Sequence, residues 1–371
     1  MYGFVPYLLQ QAKGIFTNAY PGKKVTPKGY LRFLVENGLI NSASQAIDDG
    51  SGHVRDVKFS YSVRTPEGKT ITEDNCEVDV IPSRLEASIP VTDFRKIGFH
   101  IDDDTIAQYE KTASGLIVLG GQGSDKIPNG GVTMEVWENI MDKAQALLAD
   151  VNADLLADQA IAFGNNAVTG LNTVRDVNFP LAATNNDLNT GMTMVLNDMM
   201  VNEQSIEDLV IVGSGLINNY ALQQPAKSAA QNGLNTAQQI MPKMYYDPRT
   251  ASAWGTDQFG MFDKNAVKLV LKNRFSGFKS GDRLKSIFCV IPVPITDFMG
   301  KTIMYPVDVQ ITYSDCPTTI TIGEDQVSIQ RGYNIFLMTS YKQFNIPSDA
   351  YDATDVLTGN NGTYRYKAKN V

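Results

Sequence analysis

Residues 133–163 read TMEVWENIMDKAQALLADVNADLLADQAIAF. Trp137, Ile140, Met141, Ala144, Leu147, Leu148, Val151, Leu155 and Ala162 recur at spacings of three and four, the period of one helix face. Thr133 stands where an N-cap belongs, Glu135 and Glu138 suit the first turns, and Gly164-Asn165 supplies a stop. At about 1.5 Å per residue the helix runs beyond about 40 Å. That exceeds the diameter of most small domains, so the helix is expected to act as a spine. Asp142, Asp150, Asp154 and Asp158 lie at multiples of four and form an acidic ridge along it. Like charges at this spacing slightly destabilise an isolated helix. The ridge is either a solvated face or a strip that meets bases of another chain.

On the N-terminal side, residues 1–50 read as an arm. Two short helices, 6–16 and 27–37, flank the turn Tyr20-Pro21-Gly22, and Gly38 ends the second. Their apolar residues are too few to bury one another and need a surface elsewhere. Residues 54–80 then read as a long β-hairpin. Val57, Phe59, Tyr61 and Val63 alternate with polar residues, and Thr65-Pro66-Glu67-Gly68 suits a tight turn. The return strand, 69–80, is so polar that the hairpin is expected to project and to need support from a neighbour.

On the C-terminal side the pattern is mixed. Strands are expected at 208–212, 266–271, 287–295, 302–313, 318–322, 326–329 and 333–340, and helices at 214–224 and 226–239. Residues 347–371, rich in Asn, Asp, Gly and Thr, read as a loosely held tail.

The chain has 371 residues and a net charge of −8, which excludes a generally basic nucleic-acid binder. Its charge is segregated: +4 over residues 1–40, −10 over 132–220 and +5 over 242–285. Blocks of opposite sign suit self-association, and solvated faces are the plain alternative. Three cysteines, Cys76, Cys289 and Cys316, lack metal or redox spacing, which fits reduced thiols. No stretch reads as a signal peptide or a membrane span.

Motifs for chemistry are sparse. His53 and His100 stand apart from any ligand spacing, so no metal is expected. Asp102-Asp103-Asp104 reads as a polar turn before a helix at 106–111. Gly120-Gly121-Gln122-Gly123 lacks the Lys and Ser/Thr of a phosphate loop. Val212-Gly213-Ser214-Gly215 passes from strand to expected helix, but Asn218 occupies the third glycine position and no acid lies between Asp208 and Asp247 to hold a ribose. A plain strand–turn–helix connection accounts for it, and no cofactor is expected.

An under-packed arm, a projecting hairpin, a long spine helix and a mixed α/β domain ending in strands follow in that order. This order resembles the Hong Kong-phage-type fold of tailed-bacteriophage major capsid proteins. Local text is similar too: DLVIVGSGLINNYALQQ (208–224), YYDPRTASAWGTDQFGMFDKNAVKLV (245–270) and CVIPVPITDFMGKTIMYPVDVQITYSDC (289–316). The resemblance implies an α+β fold with five parts. These are an N-terminal arm (1–50), an extended loop (51–100), a peripheral domain with its spine helix (101–179), an axial domain (180–313), and late strands with a tail (314–371).

It implies a structural protein, not an enzyme, that self-assembles into pentamers and hexamers of an icosahedral head enclosing double-stranded DNA. Assembly is expected in the host bacterial cytoplasm, and the product is a virion component. Portal, scaffold and decoration proteins are further expected partners, with non-specific DNA on the inner face and no membrane. Subunit contacts are expected from Lys23, Lys24, Lys28 and Arg32 in the arm and from Phe59, Tyr61 and Arg64 in the hairpin. Asp150, Asp154 and Asp158 are the expected acidic partners. The alternatives are a phage tail or tube protein, an encapsulin-like shell, and, from another class, a nucleotide-dependent enzyme using Gly213, Ser214 and Gly215.

Overall fold

The computed structural model describes residues 28–41, 56–62, 84–102, 130–178, 188–215, 242–273, 279–280, 286–296, 302–314, 318–322, 325–329, 331–348 and 359–369. The first arm helix, the hairpin turn and its expected return strand, and the helices at 106–111 and 226–239 lie outside these residues. So does the helix expected at 214–224 beyond Gly215.

Among the described residues two large sheets and two small two-stranded ones make up the fold. The larger has seven strands. Five run in the order β1 (Leu39–Asn41), β9 (Val267–Lys272), β15 (Gly332–Asn345), β12 (Thr302–Ser314) and β11 (Ser286–Thr296). The two-residue β10 (Lys279–Ser280) follows β11, and β4 (Asp93–Asp102) also pairs with β15. The smaller sheet runs β5 (Arg175–Asn178), β16 (Thr363–Lys369), β8 (Gln258–Asp263), β6 (Leu209–Gly213), β7 (Lys243–Tyr246). Strands from 180–313, expected in one domain, are therefore divided between the two sheets. A separate two-stranded sheet joins β13 (Thr318–Ile322) to β14 (Asp325–Ile329).

Helix α2 (Gly130–Ala162, 33 residues) spans about 50 Å at the usual rise. It begins a turn before Thr133, which is thus a helical residue and not the cap. Its apolar stripe is buried at Ile140, Ala144, Leu147, Leu148, Val151 and Leu155, and its carboxylate side faces outward. The stripe packs on β4, β15 and β11, inside the larger of the two principal cores. The second core joins α3 (Leu188–Val201) to the smaller sheet through Met192, Val195, Met199, Ile211, Phe259, Tyr364 and Tyr366.

Two expectations are corrected here. The helix α1 (Gly29–Asn37), expected as part of an under-packed arm, is sunk in the larger core: Tyr30, Leu31, Phe33 and Leu34 are fully buried. The surface they require comes from the same chain, as rings of Trp254, Phe262 and Tyr245 close on Tyr30 and Phe33 at centroid separations of 5.3–5.8 Å. The tail is corrected as well. Residues 363–369 form β16, central in the smaller sheet, with Tyr364, Tyr366 and Ala368 buried on one face.

The hairpin is also longer than its alternation implied. β2 (Asp56–Ser62) pairs antiparallel with β3 (Arg84–Pro90), so 63–83 lie between them. Its base is supported by its own protomer: Val57 and Ile89 pack with Val270 of β9, and the Phe59 ring meets Phe344 edge-on at 6.1 Å.

Candidate functional site

Two regions carry the candidate assembly residues: the seat of α1 on α2, and the outer ridge of α2. A helix leaves its first backbone N–H groups without internal partners. In α1 no cap comes from the preceding residue, Lys28. Asp247 Oδ2 instead accepts from Tyr30 N at 3.1 Å, and Asn152 Oδ1 of α2 accepts from Leu31 N at 3.0 Å. Asn152 Nδ2 donates to Asp247 Oδ2 at 2.9 Å, and Asp247 Oδ1 accepts from Arg249 N at 3.0 Å. Burial raises the Asp247 carboxyl's pKa, and these donors oppose the rise. Gly29 fits against the Tyr246 carbonyl so tightly that a Cβ would stand 2.2 Å from its oxygen.

Two turns along α2 from Asn152, Gln159 forms a second buried polar node. Its Oε1 lies 3.0 Å from the Tyr30 hydroxyl and accepts from Gln343 Nε2 at 2.7 Å and Asn345 Nδ2 at 3.2 Å. Asn152 and Gln159 are both fully buried. Neither was singled out in the sequence. The available signal was two amides, seven residues apart, on a stripe otherwise apolar: buried polar groups are kept where they are hydrogen-bonded.

At its far end α1 is tied to β7. Glu36 accepts from Arg32 Nε at 2.8 Å and also from Lys243 and Tyr245. Burial pushes its carboxyl up, but the bonds from Lys243, Tyr245 and Arg32 outweigh it and hold the pKa at about 2. Lys28 is also buried and donates to Gln145 Oε1 of α2 at 2.7 Å. Burial, with Arg249 nearby, brings its pKa down to about 8. Lys28 and Arg32 are thus engaged within the protomer, while Lys23, Lys24 and Arg64 lie outside the described residues.

The ridge divides in three. Asp150 is exposed. Asp154 accepts both Arg95 Nε and Nη2 at 2.7 Å, a bidentate pair, and the Tyr341 hydroxyl at 2.5 Å. Arg95 holds its carboxyl below the usual range. Asp158 is exposed beside a cleft it lines with Asp93, Phe94, Arg95, Asp154, Tyr341 and Lys342. Partial desolvation raises its pKa against the pull of Lys342, and the charges of Asp93 and Asp154 add to the rise. Lys342 pairs with Asp93 at 3.1 Å. Phe59 and Tyr61, half-buried, stack on one hairpin face at 6.5 Å.

Among the described residues no cluster of His, Cys, Asp or Glu could hold a metal ion. His100 Nδ1 stands 2.9 Å from Asn334 Oδ1. Cys289 is buried, its thiol pushed up to about 12 by burial and by Asp308. At the glycine turn, the Gly213 carbonyl is taken by Asp247 N at 2.8 Å, and β6, though parallel to β7, runs antiparallel to its other neighbour β8. A dinucleotide site at such a turn sits in a parallel sheet with parallel strands on both sides, which β6 lacks. No helix among the described residues is long and apolar enough to cross a membrane.

A long helix laid across a mixed sheet, with a smaller sheet beyond it and a hairpin whose base packs on the larger sheet, is a fold shared with a phage capsid chain. The chain aligns over 95% of its length with 96% of a chain from the cyanophage A-1(L) capsid asymmetric unit, at TM-score 0.51 and 12% identity. Looser matches include a chain of Mycobacterium phage Adephagia (TM-score 0.47, 11% identity, 97% of each chain). Another is from the capsid of cyanophage P-SCSP1u (TM-score 0.45, 13% identity, 97% of this chain and 94% of that one). At such identity the A-1(L) likeness establishes the fold alone. No protein-family model matches the chain, and no curated protein does.

Proposed function

We propose that this chain is the major capsid protein of a tailed bacteriophage. On this reading it self-assembles into pentamers and hexamers that close an icosahedral head around double-stranded DNA. The observation that carries the reading is the likeness to the A-1(L) capsid chain over 95% of this chain and 96% of that one. The role is structural and not enzymatic. In this scheme β2 and β3 belong to the extended loop, α2 is the spine of the peripheral domain, and the smaller sheet belongs to the axial domain. Portal, scaffold and decoration proteins are further partners in that scheme, and DNA meets the inner face without sequence preference.

Contacts between subunits are assigned to Lys23, Lys24 and Arg64, to the exposed parts of Phe59 and Tyr61, and to Asp150 and Asp158. A shell repeats each contact many times, so modest individual contacts add to a stable whole. Negative-stain electron microscopy with sedimentation of the purified chain tests this. Closed shells, or rings of five and six, are expected. Tubes would favour a tail protein. A chain that stays monomeric at high concentration, with or without co-expressed phage scaffold, would overturn the reading.

A further inference from the structure

The two principal cores are built from different side chains. Among the described residues the larger core contains no methionine and is mostly Leu, Ile, Val and aromatic rings. The smaller core, where α3 lies on the smaller sheet, buries Met192, Met199 and Met261, and Met194 and Met244 pack at its margin. Methionine is unbranched and turns about three side-chain bonds, so it fills irregular gaps and adapts to a changed partner. Fixing it also costs more rotamer freedom than fixing Leu or Ile. A core rich in methionine therefore holds its neighbour without specifying one arrangement.

The smaller sheet stands between the two kinds of core. Val210, Val212 and Phe262 belong to the larger core with α1, whereas Leu209, Ile211, Phe259 and Met261 of the same strands belong to the core under α3. The last turn of α3 is tied down. Asp198, buried, accepts from Arg175 Nε at 3.3 Å. Asn202, just past the helix, donates to Asn166 Oδ1 in the turn after α2 at 2.9 Å and accepts from Ala167 N at 2.8 Å. The opposite end is weakly made, since Asn189, Thr190 and Gly191 are poor helix formers. Met192 and Met194 supply the packing that follows them.

We propose that α3 is a movable element: it pivots about its tied last turn over the methionines beneath it, and changes its seat on the smaller sheet as copies of the chain associate. The larger core keeps its arrangement. Pentamers and hexamers place one sequence in two surroundings, and an interface that can re-pack lets the same protomer fit both. This use in assembly rests on the capsid reading, whereas the mobility itself does not.

Dilute hydrogen peroxide acting on the native full chain tests the mobility. Peroxide passes one oxygen to a thioether sulfur and leaves water, and a buried sulfur reacts only when its surroundings open. Initial rates are read site by site by peptide mass mapping. Met141 of α2 and Met338 of β15, 4% and 3% exposed, are the controls, because Met192, Met199 and Met261 at 2% or less should be no faster in a rigid fold. The expected result is oxidation of those three at least about tenfold faster than the controls, equivalent to about 1.4 kcal/mol. Equal rates would overturn the proposal.

The use in assembly is tested by Met192→Leu/Met199→Leu/Met261→Leu, a swap of similar volume that should keep cooperative unfolding. Closed shells, counted by electron microscopy and sedimentation, should fall at least about tenfold. Undiminished assembly of this variant would overturn the role in assembly. If the variant melts markedly lower, the peroxide rates of the wild type decide. Fast oxidation in a chain that forms no shells keeps the movable helix while the capsid reading falls. Slow oxidation in a chain that does form shells has the reverse meaning.

Discussion

Asp247, in the loop after β7, caps the backbone of Tyr30 across 217 residues of sequence, and Asn152 of α2 braces the same carboxylate. The beginning of α1 is thereby fixed to the middle of α2 and to the smaller sheet at once. Whatever precedes residue 28 departs from a rigid point.

Removing that brace is expected to be costly. Asp247→Ala leaves Tyr30 N and an Asn152 amide hydrogen buried without acceptors, and the loss should be about 2–4 kcal/mol in denaturant unfolding. Asp247→Asn keeps one acceptor oxygen and should fall between the two. Asn152→Ala should resemble Asp247→Ala, and the double variant should lose less than the sum, because both act on one network.

The Glu36 cluster predicts acid sensitivity. Its carboxyl has an ordinary value of 4.5 and is held at about 2 in the folded chain. A depressed folded pKa stabilises above the unfolded value and is lost as pH falls through the folded one. Stability should therefore decline between about pH 4.5 and 2, and Glu36→Gln should flatten that part of the profile. With Lys243 half-exposed and screened by solvent, the difference at neutral pH should be on the order of 1–2 kcal/mol. Unfolding midpoints measured at intervals across this range would show it.

Charge reversal should separate the ridge residues. Asp150→Lys should unfold like wild type and act on assembly alone. Asp154→Lys places a cation against Arg95 and removes the Tyr341 acceptor, so it should also cost the fold about 1 kcal/mol. If Asp150→Lys with Asp158→Lys assembles as wild type does, the ridge is a solvated face.

Deleting residues 363–371 should not behave as the trimming of a tail. It withdraws β16 from between β5 and β8 and uncovers Phe259, Met261 and Ile211. The truncated chain should be insoluble or lose cooperative melting, whereas a deletion confined to 370–371 should be silent in circular dichroism.

Several elements were legible before any coordinates. The α2 stripe was readable because each buried position recurs on one face, and the bounds of β12 and β13 followed from alternation between clear breaks. Other elements were hidden by their brevity. In TYRYKAK, period-2 alternation places Tyr364, Tyr366 and Ala368 together, but seven residues after a run of Asn and Gly look like a tail unless a partner strand is known. The return strand of the hairpin was sought too early for the same reason. Polar 69–80 follows a good turn, whereas the true partner, 84–90, is recognised only by its register with 56–62.

The sequence by itself determined which faces are apolar, where the long helix runs and that no familiar catalytic motif is present, because those are properties of neighbours along the chain. It also carried the order of parts that resembles a capsid subunit. Only the tertiary structure decided that Lys28 and Arg32 are buried within the protomer, that Asp154 answers to Arg95, and that the uncharged turn after α2 lies beside the end of α3. Each of those depends on residues tens to hundreds of positions apart meeting in space. A side chain's charge or polarity says that it needs a partner, and the packing of distant elements decides which one it finds.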